Sequence, residues 1–278
     1  MFCSTALAAR IEHAEAGLIA AGTEAARQRG GASFAIPVGG GTACFAGNNS
    51  PFNKIVGLGF GGVPDGAELD TIEHAYAAQG CATQVELAHL ADPEIGAMLT
   101  GRGYQLVGFE NVLGRPLDGT EHLVAPKGVE VRRSGDDEFE KWLDVVVDGF
   151  AAPDTQGVAP HEEFPREMIA AATRDMATAG AARYVALHDG RIAGAASIRT
   201  TEGVAQLTGA ATLSAHRRRG IQTALLATRL VDAASAACDV AVVTTAPASK
   251  SQENVQRRGF QLLYTRAVLV RPVPEPTA

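Results

Sequence analysis

Apolar residues recur at Leu7, Ile11, Ala14 and Leu18, a spacing that places them on one face of a helix and predicts an amphipathic helix over residues 1–29. The period then shortens. Apolar runs bounded by glycine predict strands at 33–38, 42–46 and 54–60. A helix over 67–79, a strand at 83–90 and a helix over 93–102 follow, the last with Asp92 as cap and Pro93 at its first position. Gly119, Pro126 and Gly128 interrupt both periods, so residues 118–127 read as a linker. Beyond it the pattern predicts a strand at 128–133, helices over 136–150 and 165–178, and strands at 183–188 and 192–200 joined by the hairpin dipeptide Asp189-Gly190. A strand at 204–213, a helix over 220–237, a buried strand at 239–245, a short helix over 251–258 and a strand at 260–271 complete the chain.

One segment occurs twice. Arg102-Gly103-Tyr104-Gln105-Leu106 through Leu117 aligns without gaps with Arg258-Gly259-Phe260-Gln261-Leu262 through Val273, with eight of sixteen positions identical. A fixed offset of 156 residues in a chain of 278 argues for two copies of one fold in tandem. The expected architecture is therefore α/β (α+β), two lobes at 1–120 and 127–278, each a mixed, mostly antiparallel sheet flanked by helices.

Composition narrows the function classes. Residues 1–125 hold 6 Lys+Arg against 13 Asp+Glu and the remainder holds 18 of each, so the net charge of -7 belongs to the first half. No basic stripe is present, which argues against nucleic acid as a partner. Apolar runs are too short for a membrane span, and Arg10, Glu12 and Glu15 break up any N-terminal signal core. Cys3, Cys44, Cys81 and Cys238 are scattered, without a metal-ligand spacing or a disulfide framework, which suits a cytoplasmic protein with no metal.

The chemistry concentrates in Leu213 to Leu226, where a strand passes through His216-Arg217-Arg218-Arg219-Gly220 into the helix beginning Ile221-Gln222-Thr223. Free N–H groups and the positive end of a helix dipole converge there. Gly220 permits close backbone approach, and arginines suit phosphate. A pyrophosphate would fit.

The order of elements, the loop Arg217-Arg218-Arg219-Gly220-Ile221-Gln222 and the segment Ser251 to Phe260 resemble the GCN5-related N-acetyltransferase family. Gln222 stands where the family has a small residue. The resemblance implies an acetyl-CoA site in the second lobe: amides of Arg218 to Thr223 on the pyrophosphate, the strand edge at Ala211, Thr212 and Leu213 pairing with pantetheine, an N–H near Thr212 or Leu213 polarising the thioester carbonyl, and Asn254 or Ser251 on the pantetheine arm or sulfur. It further implies direct attack by an amine, with no acyl-enzyme. Where many members carry a tyrosine acid this chain has Val255, leaving Tyr264 and Ser251 as the catalytic candidates. Cys238 reads as core and His216 as a loop histidine. For a base, Gln206 and Thr208 flank the expected strand position, and Asp154, His161, Glu162 and Glu163 lie on the loop where acceptors enter.

At the same offset the arginine loop falls on Gly61-Gly62-Val63-Pro64-Asp65-Gly66. Pro64 lacks an N–H and Asp65 repels phosphate, so the first lobe is expected to be degenerate, shaping the cleft without binding cofactor. The leading reading is an N-acetyltransferase for a small-molecule or amino-acid-like amine, compatible with a homodimer. The alternatives are a non-catalytic acyl-CoA sensor and a nucleotide-binding protein of another fold.

Overall fold

The computed structural model describes residues 1–124, 126–151, 156–159 and 162–273. The first half runs α1 (Thr5–Gln28), β1 (Phe34–Val38), β2 (Gly41–Phe45), β3 (Lys54–Val56), α2 (Gly66–Ala78), β4 (Thr83–Ala88), α3 (Pro93–Gly101) and β5 (Gln105–Pro116). The second runs β6 (Val129–Arg133), a 3-10 turn, α4 (Phe139–Ala151), α5 (Arg166–Thr178), β7 (Ala182–His188), β8 (Arg191–Thr201), β9 (Val204–Thr212), a second 3-10 turn, α6 (Ile221–Ser235), β10 (Val240–Thr245), α7 (Lys250–Gln256) and β11 (Gln261–Arg271).

Most elements fall where the periodicities place them, for local reasons. Ser4 caps α1 by accepting from the Leu7 amide at 3.2 Å. Asp189 and Gly190 both have positive φ, the turn a two-residue hairpin requires. The strand expected at 54–60 is the main exception, since β3 stops at Val56. Gly57 takes φ +70°, and a Cβ there would sit 3.3 Å from the Glu12 carbonyl and the Ala16 methyl, so the backbone turns away where α1 presses against it.

All eleven strands form one sheet, in the order β1-β2-β3-β4-β11-β5-β10-β9-β8-β7-β6. Only β3/β4 and β9/β10 are parallel pairs. The terminal strands of the two halves are exchanged: β5 pairs with β10, while β11 lies between β4 and β5. At the centre Glu110 pairs with Arg266, residues 156 apart, and the equivalents Gly108 and Tyr264 pair with Val268 and Val112. A local twofold axis therefore passes through the Glu110–Arg266 pair, and the duplicated segment is the one that the halves trade.

Helices cover both faces. On one, α2 and α3 seal Val38, Ala43, Phe45, Ile55 and Val85, and α6 and α7 pack on β8 to β10. On the other, α4 lies on Val185 and Ala195, while α1 spans the halves from Val204 and Val242 to Cys44 and Val56 and packs against α5. Among the described residues, no helix is long and apolar enough to cross a membrane.

Candidate functional site

The parallel strands β9 and β10 pair only from Val204↔Val240 to Gln206↔Val242, although they run on to Thr212 and Thr245. A bulge drives them apart. Ala195 and Ser197 of β8 oppose Ala211 and Thr208, so β9 carries one extra residue there, and Gly209 takes φ +55°. From α6 the buried Arg229 donates to the carbonyls of Ser197 (2.9 Å) and Thr208 (3.4 Å), fixing the bulge. Burial lowers its pKa to about 10, leaving it protonated at neutral pH.

This geometry refines the expected strand edge. The Leu213 amide donates to the Ala193 carbonyl at 3.0 Å, so by antiparallel alternation the N–H groups of Ala211 and Leu213 face β8 and that of Thr212 faces the gap. Leu213 cannot polarise a carbonyl lying between β9 and β10, and Ala211 cannot donate to it. Of the three, Thr212 alone directs its N–H into the gap, with its hydroxyl 3.4 Å from Gln222 at the start of α6.

At the mouth of the gap the chain turns through Ser214–His216 and enters α6 at Gly220, which has φ +78° and provides no side-chain cap. Arg218 also has positive φ, +63°. The first-turn amides of Ile221, Gln222 and Thr223 thus begin a helix without a capping side chain, beside exposed Arg217, Arg218 and Arg219. The Ile221 side chain is buried in the core, so only its backbone can serve a ligand. Pro126 of the linker packs over Gly220, where an added Cβ would come within 2.7 Å of its Cγ. The cradle suits a pyrophosphate and has no room for a side chain.

The equivalent position of the first half is closed. Asp65 accepts from the Glu68 amide at 2.8 Å and Glu68 accepts from the Asp65 amide at 2.9 Å, a reciprocal capping box that occupies the start of α2 with two carboxylates. The repeated arginines differ in the same sense. Arg102 is ion-paired with Glu73 and Asp70 of α2, whereas Arg258 donates to the neutral Thr223 hydroxyl at 2.9 Å, beside the open helix start. Arg258 is a cation at the open helix start that motif reading missed; its pairing with Arg102 in the repeat was the available signal. Asp65→Ala is expected to cost about 1 kcal/mol by urea denaturation and to leave acetyl-CoA affinity unchanged.

The other sequence candidates are dispersed. Ser251 is exposed on the first turn of α7 and Asn254 is half-buried one turn on; the cap of α7 is Ser249, which accepts from the Gln252 amide. Tyr264 is not placed to act as a catalytic acid: it is 1% exposed beneath α1, and its hydroxyl donates to Glu12 at 2.6 Å. Val255 fills the second core, and Tyr76, Tyr104 and Tyr184 are buried as well. Cys238 is buried, which raises its thiol pKa, and the His216 ring packs edge-on against His188. Gln206 donates to Glu15 at 3.0 Å, and Thr208 shares a hydrogen bond with Ser197. Glu162 and Glu163 are exposed; Asp154 and His161 lie outside the described residues. Among the described residues no group of His, Cys, Asp or Glu could hold a metal ion.

A second polar group lies beneath α1 at the centre of the sheet. Lys54 meets Glu86 at 2.6 Å, Arg266 donates to Glu12 at 2.8 Å, and its other nitrogen lies 3.6 Å from both Glu86 and Glu110. Glu12, Glu86 and Arg266 are at most 2% exposed on their side chains, while that of Glu110 is 28% exposed. No sequence signal marks this group, because its members come from α1, β3, β4, β5 and β11.

Known proteins fix the class. Residues 146–260 match the model of the Acetyltransferase (GNAT) family. The chain is similar in structure to a GCN5-related N-acetyltransferase from Kribbella flavida (20% identity, TM-score 0.63, covering 93% of this chain and 96% of that one). It is also similar to a tandem GNAT protein from the clavulanic acid biosynthesis pathway (15%, 0.60, 88% and 83%) and to a GCN5-related N-acetyltransferase from Sphaerobacter thermophilus (16%, 0.54, 76% and 67%). No curated protein matches it. The second half of the chain is thus a GNAT-family domain, and the chain as a whole has a tandem GNAT fold.

Proposed function

We propose that this protein is an N-acetyltransferase that moves an acetyl group from acetyl-CoA to a primary amine of a small-molecule or amino-acid-like acceptor, with the cofactor held by the second half alone. The observation that carries this reading is the pairing of a splayed β9/β10 with an uncapped α6, which offers main-chain donors to a pantetheine chain and to a pyrophosphate at one end of the sheet. Acetyl-CoA supplies the activated acyl group as a thioester. The chain supplies the Thr212 amide toward the carbonyl, the amides of Arg218 to Thr223 with Arg217, Arg218, Arg219 and Arg258 around the phosphates, and Asn254 and Ser251 along the arm.

The four buried tyrosines also favour a second reading, an acyl-CoA sensor without turnover. Chemistry argues for the enzyme. A departing thiolate with a pKa near ~8.5 takes its proton from water readily, so an acid is dispensable, whereas an alkylammonium near ~10.4 must lose a proton before it can attack. Thiol release from acetyl-CoA across a panel of primary amines tests the proposal; tight binding with no turnover would select the sensor. Calorimetry should give one acetyl-CoA per chain, and two sites would contradict the closed first half.

A further inference from the structure

Resting on that reading, we infer that the acceptor cleft is composite: the first half lends its last strand to the active site of the second, and Glu110 on that strand is the base that receives the ammonium proton of a cationic acceptor. The placement follows from register. Asn111 pairs with Thr245, the final residue of β10, so Glu110 stands one residue beyond the end of β10, at the open end of the β9/β10 gap and about one strand spacing (~5 Å) away from β10. Alternation fixes its face. Asn111 is bonded to Gln252 of α7 on the cofactor side, and so Glu110 projects to the opposite face, the side of α1, α4 and α5.

The described part of the connection between α4 and α5 reaches the same end of the sheet and packs on the loop after β10. Val158, on the connection between α4 and α5, donates to the Pro247 carbonyl just past β10, and Gly157 packs so closely on Ser249 that a Cβ would lie 2.7 Å from its nitrogen. Glu110 is the most open of the side chains that meet Arg266 in the charged group beneath α1. The groups that bear on it are Glu86 from β4, Lys54 from β3, Arg266 from β11 and Glu15 from α1. Desolvation and the neighbouring Glu86 raise its pKa to about 7, and the two cations oppose that rise only in part. A carboxylate so poised accepts and releases protons at neutral pH.

The proposed step balances. Glu110 takes one proton from R–NH3+, the C–N bond forms as the C–S bond breaks, and the second nitrogen proton passes to water, which in turn protonates the thiolate to the thiol. Glu110 then returns its proton to solvent.

The experiment compares the full-length protein with Glu110→Gln, using the alkylamine turned over fastest in the panel and an arylamine of similar size that is unprotonated at neutral pH. Loss of general-base action should lower kcat/KM for the alkylamine by about 100-fold or more. The arylamine rate and acetyl-CoA affinity should change less than about threefold, and the acid limb near pH 7 should vanish. Glu110→Asp should keep that limb at reduced rate. Stability provides a further separation: a carboxyl whose folded pKa lies above its ordinary 4.5 costs stability once ionised, so Glu110→Gln should melt at or above the wild-type temperature at pH 8. An alkylamine rate within threefold of wild type would overturn the assignment, as would equal losses for both amines or a lost CoA site. Wild-type protein that binds no acetyl-CoA would instead overturn the acetyltransfer reading, and this inference with it.

Discussion

Gly220→Asp should abolish acetyl-CoA binding while leaving the fold in place. Three effects add at this residue. Its φ of +78° costs a side-chain-bearing residue about 1–2 kcal/mol. The new Cβ would meet Pro126, which must move. The carboxylate would also place a negative charge at the start of α6, as Asp65 does at α2, and repel a pyrophosphate there. Each factor of ten in affinity is about 1.4 kcal/mol, so a loss of more than 100-fold is expected by calorimetry, with far-UV circular dichroism unchanged. Gly220→Ala isolates strain from charge and should lose affinity by a smaller factor. Near-normal affinity in the aspartate variant would refute the cradle.

The contrast between Asp65 and Gly220 was legible in the sequence because both lie within one short local motif. Strand-loop-helix order, the Asp189-Gly190 turn and the tandem repeat are likewise local, or are matched by direct alignment. What the sequence left hidden depends on strand neighbours. Periodicity shows that 105–116 and 261–271 are strands, but a repeated strand fits equally well beside its own half or the other. The exchange alone brings Glu110 of the first half to the end of β10. It also explains why the second half alone shows no base on the expected strand: the fold commits Gln206 and Thr208 to Glu15 and Ser197. The direction of a single amide, Thr212 against Leu213, was similarly invisible, since it depends on which neighbour each strand edge meets.

Arg266→Ala should be the most destabilising of these substitutions, by about 3–5 kcal/mol, because it leaves Glu12 buried without the charge that compensates it and leaves Glu86 with Lys54 alone. The residue lies on the local twofold, bonds α1 to the exchanged strand and is 1% exposed, so its loss loosens both halves together. The pH dependence has a definite sign. Burial already raises the Glu12 pKa above its ordinary 4.5, and Arg266 is the strongest influence lowering it, so in the variant the pKa rises further. The folded variant then holds a proton that the unfolded chain releases above pH 4.5, and its stability must increase as pH falls from neutrality toward 4.5. Urea denaturation at pH 8 and pH 5 measures this directly, and the deficit relative to wild type should narrow at the lower pH. Replacing the pair with Glu12→Gln and Arg266→Met should recover much of the loss, since an uncharged pair avoids burying charge. A deficit below 1 kcal/mol, or one that does not narrow on acidification, would show that the Glu12–Arg266 pair does not hold the exchanged strand to α1.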